Sequence, residues 1–439
     1  MIIMKFGGTS VGNADRIRKT AEIIKSRLER KPVVVVSAVM KITDALIRLA
    51  KEASDGGGRE IFNEIKNTHY KILEELRIEK NILENDLAEL SNLVDKINRE
   101  NQPNDAALEM FKSFGERMSS KIVAAHLNSI GIKSKPFNSW DLGLITNDDF
   151  GSAEPIEKSY KFIKENISKL SSTPVITGFI GRTEKGEITT LGRGGSDYTA
   201  AIFGAAAGAE EIQIWTDVDG IMSADPKIVP GAKTIGRISF DEASELAYFG
   251  ARVLHPKTIL PAMNKCISVK VLNSLNPDNQ GTLISSDSHK NSHTVKAIAC
   301  KKGITLINID SSRMLGAYGF LARIFYIFDK YRKSVDVIST SEVSVSLTID
   351  NDENVSNITR ELKEFADVEF SGDKSIVCVV GDGIKQEKGI AGRIFMILGK
   401  NDINVEMISQ GASKINITFV VDGKNGEKAV KALHQEYFG

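Results

Sequence analysis

A run of four valines, at residues 33–36, constrains the fold of this chain more than any other feature. It follows a segment in which apolar residues recur every three or four positions, at Ile17, Ala21 and Ile24, as expected for an amphipathic helix. Consecutive β-branched residues are typical of a strand that is buried on both faces, as in a parallel sheet covered by helices. The first part of the chain is therefore predicted to have an α/β fold.

Other apolar segments extend this pattern, and strands are predicted at 2–6, 132–137, 174–180 and 211–216. Their alternation with helical segments predicts a mostly parallel sheet with helices on both faces. Thr43 is predicted to cap the helix that follows the valine run. Residues 55–104 begin with glycines and continue as charged helical sequence. We interpret them as a helical layer that covers the sheet, and a mobile lid over a substrate is the alternative.

Charge is balanced over the chain, with 57 basic and 57 acidic residues. This balance argues against nucleic acid or anionic membrane as a partner, since both favour a basic excess. No stretch approaches the roughly 18 apolar residues of a membrane span. The cysteines Cys266, Cys300 and Cys378 are far apart, which argues against a disulfide framework or a zinc site and favours a cytoplasmic location. His289 and His293 lie in a polar run that we interpret as a solvated linker.

A segment rich in Asn, Ser, Asp and Gly predicts a domain boundary, with one domain at 1–285 and another at 295–439. The second domain contains an internal repeat. Residues 303–371 have the order strand, helix, strand, strand, helix, strand, and residues 375–439 have the same order without the last strand. Residues 295–300 form a spare strand that is predicted to complete the second repeat, so that the first repeat is inserted within the second.

A segment between a predicted strand and a predicted helix contains Lys5, Gly7, Gly8 and Ser10. Two glycines let the backbone approach an anion closely, and N–H groups at a helix start carry positive partial charge. Lys5 adds a full positive charge. This order differs from the Walker A loop, in which the lysine follows the glycines. The hypothesis is a phosphate site, and a simple tight turn is the alternative.

A second glycine-rich cluster, residues 189–197, also precedes a predicted helix and contains Arg193 and Asp197. An arginine at such a position suits the recognition of a carboxylate or a phosphate. A third segment, residues 215–220, is acidic and is followed by a turn at 225–227. Capping or turn formation alone would account for each acid, but the combination of the three segments is far more specific.

Together these segments resemble the aspartokinases of the amino-acid kinase family over essentially the whole chain. The resemblance rests on residues 5–12, 37–44, 114–119, 189–197, 216–227 and 249–256. It implies an amino-acid kinase fold followed by two ferredoxin-like βαββαβ ACT modules, the first at about 303–371 and the second at about 375–439 plus 295–300. Residues 314–342 are most similar to the lysine-inhibited type. No homoserine dehydrogenase segment follows, so a monofunctional enzyme is expected.

The resemblance implies that the γ-phosphoryl group of MgATP is transferred to the β-carboxylate of L-aspartate. This is the first step towards lysine, threonine and methionine, and inhibition by L-lysine is implied. The implied catalytic residues are Lys5, Asp197 and Arg252. Glu116 would hold the α-ammonium group of aspartate and Arg193 its α-carboxylate.

The remaining implied sites are as follows. Beside Glu116 and Arg193, the aspartate site comprises Ser37, Thr43 and Phe179. The ATP site comprises Lys5, Gly7, Gly8, Ser10, Thr216, Asp217, Met222, Lys227 and Arg252. The effector site comprises Met314, Gly319, Phe320, Leu321, Val335, Asp336, Ser341 and Glu342.

Four positions depart from the family pattern. Arg252 replaces a usual lysine that contacts phosphate, so a planar fork replaces a point charge. Met222 replaces a tyrosine near adenosine, and Lys227 replaces an arginine. Lys41 stands where glycine is frequent. These departures affect the expected nucleotide affinity more than the expected reaction.

The residues fit this chemistry because a β-carboxylate, whose ordinary pKa is about 3.9, is already ionised at neutral pH and needs no general base. Catalysis then consists of alignment and charge neutralisation. Magnesium is expected to be held mainly by ATP oxygens and water, so no protein ligand is predicted. ACT modules commonly pair between chains, so a homo-oligomer is expected.

Two other functions remain open at this stage. The first is a kinase for another small amino acid or a carbamate; Glu116 and Arg193 favour an α-amino acid. The second is a non-catalytic amino-acid sensor that kept the ACT modules, and the intact Lys5 and Asp197 argue against it.

Overall fold

A computed structural model describes residues 1–100, 104–249, 254–286, 294–314, 318–350, 354–411 and 415–439. Contacts divide the chain into two compact units. The first comprises Met1–Ile221, Gly236–Phe240 and the described part of Val253–Ser288. The second comprises Met222–Ile235 and the described parts of Asp241–Arg252 and His289–Gly439. The division is therefore not a single cut, because two segments that precede residue 285 group with the C-terminal part.

The strands of the first unit are β1 (Ile2–Phe6), β2 (Pro32–Val36), β3 (Ser134–Phe137), β4 (Ile145–Thr146), β5 (Thr173–Thr177), β6 (Ile180–Thr183), β7 (Ile188–Thr190), β8 (Glu211–Thr216), β9 (Arg237–Ile238), β10 (Ser268–Asn273) and β11 (Thr282–Ile284). Its helices are α1 (Ala14–Lys25), α2 (Ile42–Ser54), α3 (Arg59–Leu76), α4 (Glu84–Glu100), α5 (Asp105–Ser129), α6 (Glu157–Ile167) and α7 (Gly195–Ala207). Helix α8 (Phe240–Tyr248) lies almost wholly in the second unit, and α9 (Pro256–Asn264) returns to the first.

The main sheet has the strand order β3-β5-β2-β1-β8-β10-β11-β9. All its pairs are parallel except that between β10 and β11, which confirms the mostly parallel sheet predicted from the sequence. The valine run forms β2, whose five residues are all buried. The carboxyl ends of the parallel strands therefore meet at one edge of the sheet, and these strands are β5, β2, β1, β8 and β10. Ligands bind at this edge in open α/β sheets.

One local prediction is wrong. Helix α2 begins at Ile42, and its N-cap is Lys41, whose φ of 69° is left-handed. Thr43 lies within the first turn and does not cap the helix. The sequence signal was misleading because the left-handed backbone at Lys41 starts the helix two positions before Thr43, which leaves the threonine inside the first turn.

Residues 55–104, as far as they are described, form α3 and α4, which pack on α2 and α5. Apolar side chains of both helices, such as Ile65 and Leu90, are fully buried in the same core as β1 and β2. This packing supports the helical layer over the mobile lid. The layer also contains Asp86, whose side chain is 1% exposed and forms ion pairs with Arg117, at 3.0 Å, and with Lys121.

The strands of the second unit are β12 (Ala297–Asp310), β13 (Val335–Thr340), β14 (Ser344–Asp350), β15 (Asp367–Val380), β16 (Met407–Ser409) and β17 (Asn416–Asp422). Its other helices are α10 (Phe320–Lys330), α11 (Val355–Leu362), α12 (Ile390–Lys400) and α13 (Gly426–Phe438). The strand order is β13-β14-β12-β15-β17-β16, and all pairs are antiparallel. The long strands β12 and β15 each belong to both modules. The first half of β12 pairs with the second half of β15, and the second half of β12 pairs with the first half of β15.

None of the helices in these ranges combines the length and the apolar character that a bilayer crossing requires. His289 and His293 lie outside the described residues. The described part of the chain holds no group of three or more His, Cys, Asp or Glu side chains arranged for a metal ion.

Replacing Asp86 with alanine is expected to lower the free energy of unfolding by about 3–5 kcal/mol, because Arg117 and Lys121 lose a buried counter-ion. Urea unfolding followed by circular dichroism measures the effect. The matched control is Glu64→Ala, which removes an exposed ion pair with Arg48 at 3.4 Å and is expected to cost less than about 1 kcal/mol. Equal losses in the two variants would contradict the role of the buried carboxylate.

Candidate active site

Lys5 and Asp197 form the centre of the candidate site. Lys5 is the fourth residue of β1, and Asp197 lies in the first turn of α7. The Lys5 Nζ atom is 2.6 Å from Asp197 Oδ1, and the two side chains are only 11% and 12% exposed. The structure thus brings together two of the three predicted catalytic residues. The third, Arg252, lies outside the described residues.

The predicted phosphate loop follows β1 directly. Gly7 N donates to the carbonyl of Trp215 at the end of β8, at 3.1 Å, which ties the loop to the neighbouring strand. A Cβ atom on Gly8 would be 2.9 Å from the carbonyl oxygen of Ala38, too close for any other residue without a shift. The buried Ser10 hydroxyl contacts that of Ser274 at 2.8 Å. Ser10 therefore supports the loop from within.

Ser37 and Glu116 are also near each other, although they are far apart in sequence. Ser37 follows β2, and its N–H donates to the carbonyl of Phe6 at 3.1 Å. The next residue, Ala38, donates its N–H to Glu116 Oε1 at 3.1 Å. This contact depends on Gly115, because a Cβ there would be 2.6 Å from the Ala38 Cβ.

Glu116 is 3% exposed. Its Oε2 atom is buried and accepts no hydrogen bond from the described residues. Burial raises the pKa of this carboxyl group to about 8, and the Ala38 N–H opposes that shift only in part. A carboxyl group in this state can accept a cationic partner in place of its proton.

Phe179 follows β5, at the same sheet edge, and its φ of 67° is left-handed. Its carbonyl accepts a hydrogen bond from Leu191 N at 2.8 Å. A Cβ on Gly195 would be 2.6 Å from the Phe179 ring. The first turn of α7, which carries Asp197, thus packs directly against this loop.

Arg193 is exposed, in the glycine-rich loop before α7. A Cβ on the next residue, Gly194, would be 3.3 Å from the Cβ of His255, the N-cap residue of α9. Burial lowers the pKa of His255, and the positive charges of Arg193 and Lys257 lower it further. The imidazole is therefore neutral at physiological pH beside a cationic loop.

The predicted nucleotide residues belong to both units. Thr216 ends β8; its carbonyl accepts the N–H of Ser274 at 2.8 Å, and its hydroxyl donates to the exposed Asp217 at 3.2 Å. Met222 and Lys227 belong to the second unit. The Met222 sulfur accepts the Thr234 hydroxyl at 3.4 Å, and Lys227 N donates to Asp225 within a turn. Lys227 is exposed and Met222 is half-buried.

Asp336, in β13, is the most constrained of the predicted effector residues. Its side chain is 2% exposed, its Oδ1 atom accepts the Tyr248 hydroxyl at 2.7 Å, and it pairs with Lys301 at 3.1 Å. Burial raises the pKa of Asp336. Its Oδ2 atom is buried and accepts no hydrogen bond from the described residues. Sequence reasoning missed Tyr248 and Lys301, because no local pattern marks either residue.

The other predicted effector residues differ in exposure. Met314, Phe320 and Val335 pack against the core of the first ACT module. Leu321 is 42% exposed, and Glu342 is exposed. Gly319 caps α10 with a φ of 76°. Ser341 forms a hydroxyl contact with Ser344 at 2.7 Å.

Comparisons with known proteins agree with this arrangement. Residues 1–273 match the profile of the amino acid kinase family, and residues 377–437 match that of an ACT domain. The chain is 38% identical over 457 residues to aspartokinase 2, chloroplastic, of Arabidopsis thaliana, with coverage of 99% of this chain and 84% of that protein. It is 37% identical over 452 residues to lysine-sensitive aspartokinase 3 of Escherichia coli (strain K12), with coverage of 100% and 99%.

Among solved structures, E. coli aspartokinase III in complex with aspartate and ADP superposes with a TM-score of 0.85 at 35% identity, over 100% of both chains. The similarity is thus global in both sequence and fold. The chain therefore belongs to the amino acid kinase family and, within it, to the aspartokinases.

Proposed function

We propose that the protein transfers the γ-phosphoryl group of MgATP to the β-carboxylate of L-aspartate, forming 4-phospho-L-aspartate and ADP. A carboxylate oxygen attacks the γ-phosphorus, and the bond from that phosphorus to the β–γ bridging oxygen breaks. The observation that carries this proposal is the Lys5–Asp197 pair of 2.6 Å beside the glycine loop at the edge of the sheet. The comparison proteins support the choice of aspartate as the acceptor.

The protein's own contribution is charge and position. Lys5 offsets the negative charge that develops on the transferring phosphoryl group, and Gly7 and Gly8 allow its close approach. Asp197 holds the Lys5 ammonium group in place before the nucleotide binds. The described residues supply no general base at this pair, and none is required, because the acceptor carboxylate is already ionised.

The acceptor is held by its other two charged groups. Glu116 receives the α-ammonium group, because its Oε2 atom is buried and lacks a hydrogen-bond donor among the described residues. Arg193, exposed in the glycine-rich loop, pairs with the α-carboxylate through its guanidinium fork. Ser37, Thr43 and Phe179 are the remaining proposed contacts of aspartate. This charge pattern favours an α-amino acid over a simple carboxylate or a carbamate.

The residues present fit magnesium that arrives with ATP. Magnesium keeps several waters and is usually bound through one or two carboxylates together with phosphate oxygens. Asp197 provides one such carboxylate, and the described residues contain no group of three or more His, Cys, Asp or Glu side chains that could hold a metal ion. When bound, the metal would neutralise charge on the β- and γ-phosphates. Thr216, Asp217, Met222, Lys227 and Arg252 are proposed nucleotide contacts.

L-Lysine is the proposed effector, and it would bind to the C-terminal ACT modules. The same modules are the proposed contact between the chains of a homo-oligomer. Asp336 has one free oxygen in a buried position, which suits an ammonium group. The name of the E. coli relative, lysine-sensitive aspartokinase 3, supports this choice over threonine.

The reaction is tested by incubation with ATP, aspartate and hydroxylamine, since only an acyl phosphate yields a hydroxamate. The wild type is expected to form aspartyl hydroxamate, and Lys5→Met is expected to lose about 100- to 1000-fold in turnover. Lys25→Met, which changes an exposed lysine at the end of α1, serves as control. A wild type that binds aspartate and forms no hydroxamate would support the sensor alternative.

Aspartate binding is expected to depend on pH through Glu116. The pKa of about 8 means that the free enzyme holds a proton at neutral pH, which the ammonium group of aspartate displaces. Affinity should therefore rise up to about tenfold per unit as the pH increases towards 8, and then level off. Calorimetry in two buffers of different ionisation enthalpy would detect the released proton. An affinity that does not change over this range would refute the role of Glu116, and Glu116→Gln should abolish the pH dependence.

Asp336→Asn is expected to abolish inhibition by lysine, because a neutral amide offers no charge to an ammonium group. Hydroxamate formation with and without lysine measures the effect, and turnover without lysine is followed in parallel. Asp350→Asn is the matched control, since Asp350 also pairs with Lys301, at 2.6 Å, but is 57% exposed. Calorimetry that shows threonine binding to the wild type, and no lysine binding, would rule out lysine as effector.

A further inference from the structure

The backbone of Phe179 is held in a conformation that its side chain disfavours. A φ of 67° is left-handed, and there the Cβ of an L-residue crowds the backbone carbonyl oxygen. This strained conformation is held in place because the backbone carbonyl and the backbone N–H of Phe179 are both hydrogen-bonded. Its carbonyl accepts from Leu191 N at 2.8 Å, and its N–H donates to the side-chain hydroxyl of Thr199 at 3.0 Å.

Thr199 lies in the second turn of α7 and is fully buried. Its hydroxyl donates to the carbonyl of Gly195 at 2.9 Å, four residues earlier. Threonine commonly makes this bond within a helix, and alone it would carry no meaning. The bond received from Phe179, 20 residues away, is what makes the hydroxyl a link between the β5–β6 loop and the start of α7.

The β5–β6 loop and the start of α7 are so closely packed that added Cβ atoms would clash. A Cβ on Gly195 would be 2.6 Å from the Phe179 ring and 3.1 Å from its Cα. On the other side, a Cβ on Gly178 would be 2.6 Å from the Cβ of Ser196. At such distances a small rotation of the loop moves α7, and with it the Asp197 carboxylate that pairs with Lys5.

We propose that Thr199 is a positioning residue for phosphoryl transfer. Its hydroxyl fixes the Phe179 loop, which lines the acceptor pocket, to the helical turn that orients Lys5 through Asp197. This inference rests on the proposed roles of Phe179 and Asp197. The buried Thr199 hydroxyl, which touches neither substrate, would thereby set the distance between the acceptor and the phosphoryl donor.

The test compares Thr199→Val, which keeps the shape and loses the hydroxyl, with Thr199→Ser, which keeps the hydroxyl. The expected result for Thr199→Val is a fall of about 10- to 100-fold in kcat/KM for aspartate. The Thr199 hydroxyl bonds Phe179 and Gly195 and reaches the nucleotide site only through the Asp197–Lys5 pair, so ADP affinity should fall by a smaller factor than kcat/KM for aspartate. Thr199→Ser should recover most of the loss.

Thr146→Val is the matched control. Thr146 is also a buried threonine, 2% exposed, and its hydroxyl contacts that of Thr189 at 2.7 Å in the small sheet of β4, β6 and β7. Both valine variants are expected to lower the melting temperature, but only Thr199→Val should change the aspartate kinetics. If Thr199→Val matched Thr146→Val in kinetics, or if Thr199→Ser were as impaired as Thr199→Val, the positioning role would be overturned.

Hydrogen exchange gives a readout that does not require turnover. Without the hydroxyl, the Phe179 N–H loses its acceptor, so a peptide that covers residues 176–183 should exchange faster in Thr199→Val than in the wild type. Unchanged exchange would overturn the inference even if activity fell. Conversely, faster exchange in an enzyme whose wild type forms no aspartyl hydroxamate would leave the link in place and overturn only the proposed function.

Discussion

The ion pair between Lys5 and Asp197 connects the centre of the sheet to the start of α7. Both side chains are nearly buried, and each charge would be costly to keep there without the other. The distance of 2.6 Å therefore fixes where α7 begins relative to β1. Because the glycine loop leaves β1 two residues after Lys5, the pair also fixes the position of that loop. A nucleotide that draws Lys5 towards its phosphates must find Asp197 another partner, and a metal ion or water suits that role.

Three glycines allow the loops and helices around this ion pair to approach one another closely. Gly8, Gly115 and Gly195 each lie where a Cβ would be 2.9 Å or less from a neighbouring segment. At Gly8 that neighbour is the loop after β2, at Gly115 it is the same loop seen from α5, and at Gly195 it is Phe179. The three approaches bring the loops after β1, β2 and β5 together with α5 and the start of α7 at one sheet edge. They also explain how Glu116, deep in a helix, reaches the backbone of Ala38.

Local patterns in the sequence were sufficient for the sheet. The valine run predicted a doubly buried strand, and β2 is one; the glycine clusters predicted loops at helix starts, and the loop before α7 is one. Long-range contacts were not accessible in this way. Nothing near Glu116 indicates that its pKa rises to about 8, because the burial comes from packing partners elsewhere in the chain. Thr43 resembles a cap, yet the left-handed backbone at Lys41 moves the helix start. Asp336 was predicted as a binding residue from the residues around it. Its partners Tyr248 and Lys301 were not predicted, because they come from other elements.

The cluster around Asp336 has a charge imbalance with a physical consequence. Lys301 serves two carboxylates, those of Asp336 and Asp350, so one negative charge is in excess, and burial already raises the pKa of Asp336. A cation beside the buried Oδ2 atom of Asp336, which accepts no hydrogen bond from the described residues, would offset that excess charge. Tyr248 ends α8, the helix that also carries Glu242, paired with Lys296 at 2.8 Å.

Glu245 lies three positions from both Glu242 and Tyr248, so it is a neighbour of each on the surface of α8. Its carboxylate accepts from the Asn416 amide at 2.5 Å. Helix α8 is thus bound to the ACT modules at three points, two through carboxylates and one through a phenol. Of the three, only the phenol is bound to a carboxylate of the ACT modules, that of Asp336, whereas Glu242 and Glu245 accept from the Lys296 ammonium group and the Asn416 amide. A change of charge at Asp336 therefore acts first on the C-terminal end of α8, while the other end stays anchored by the buried Glu242.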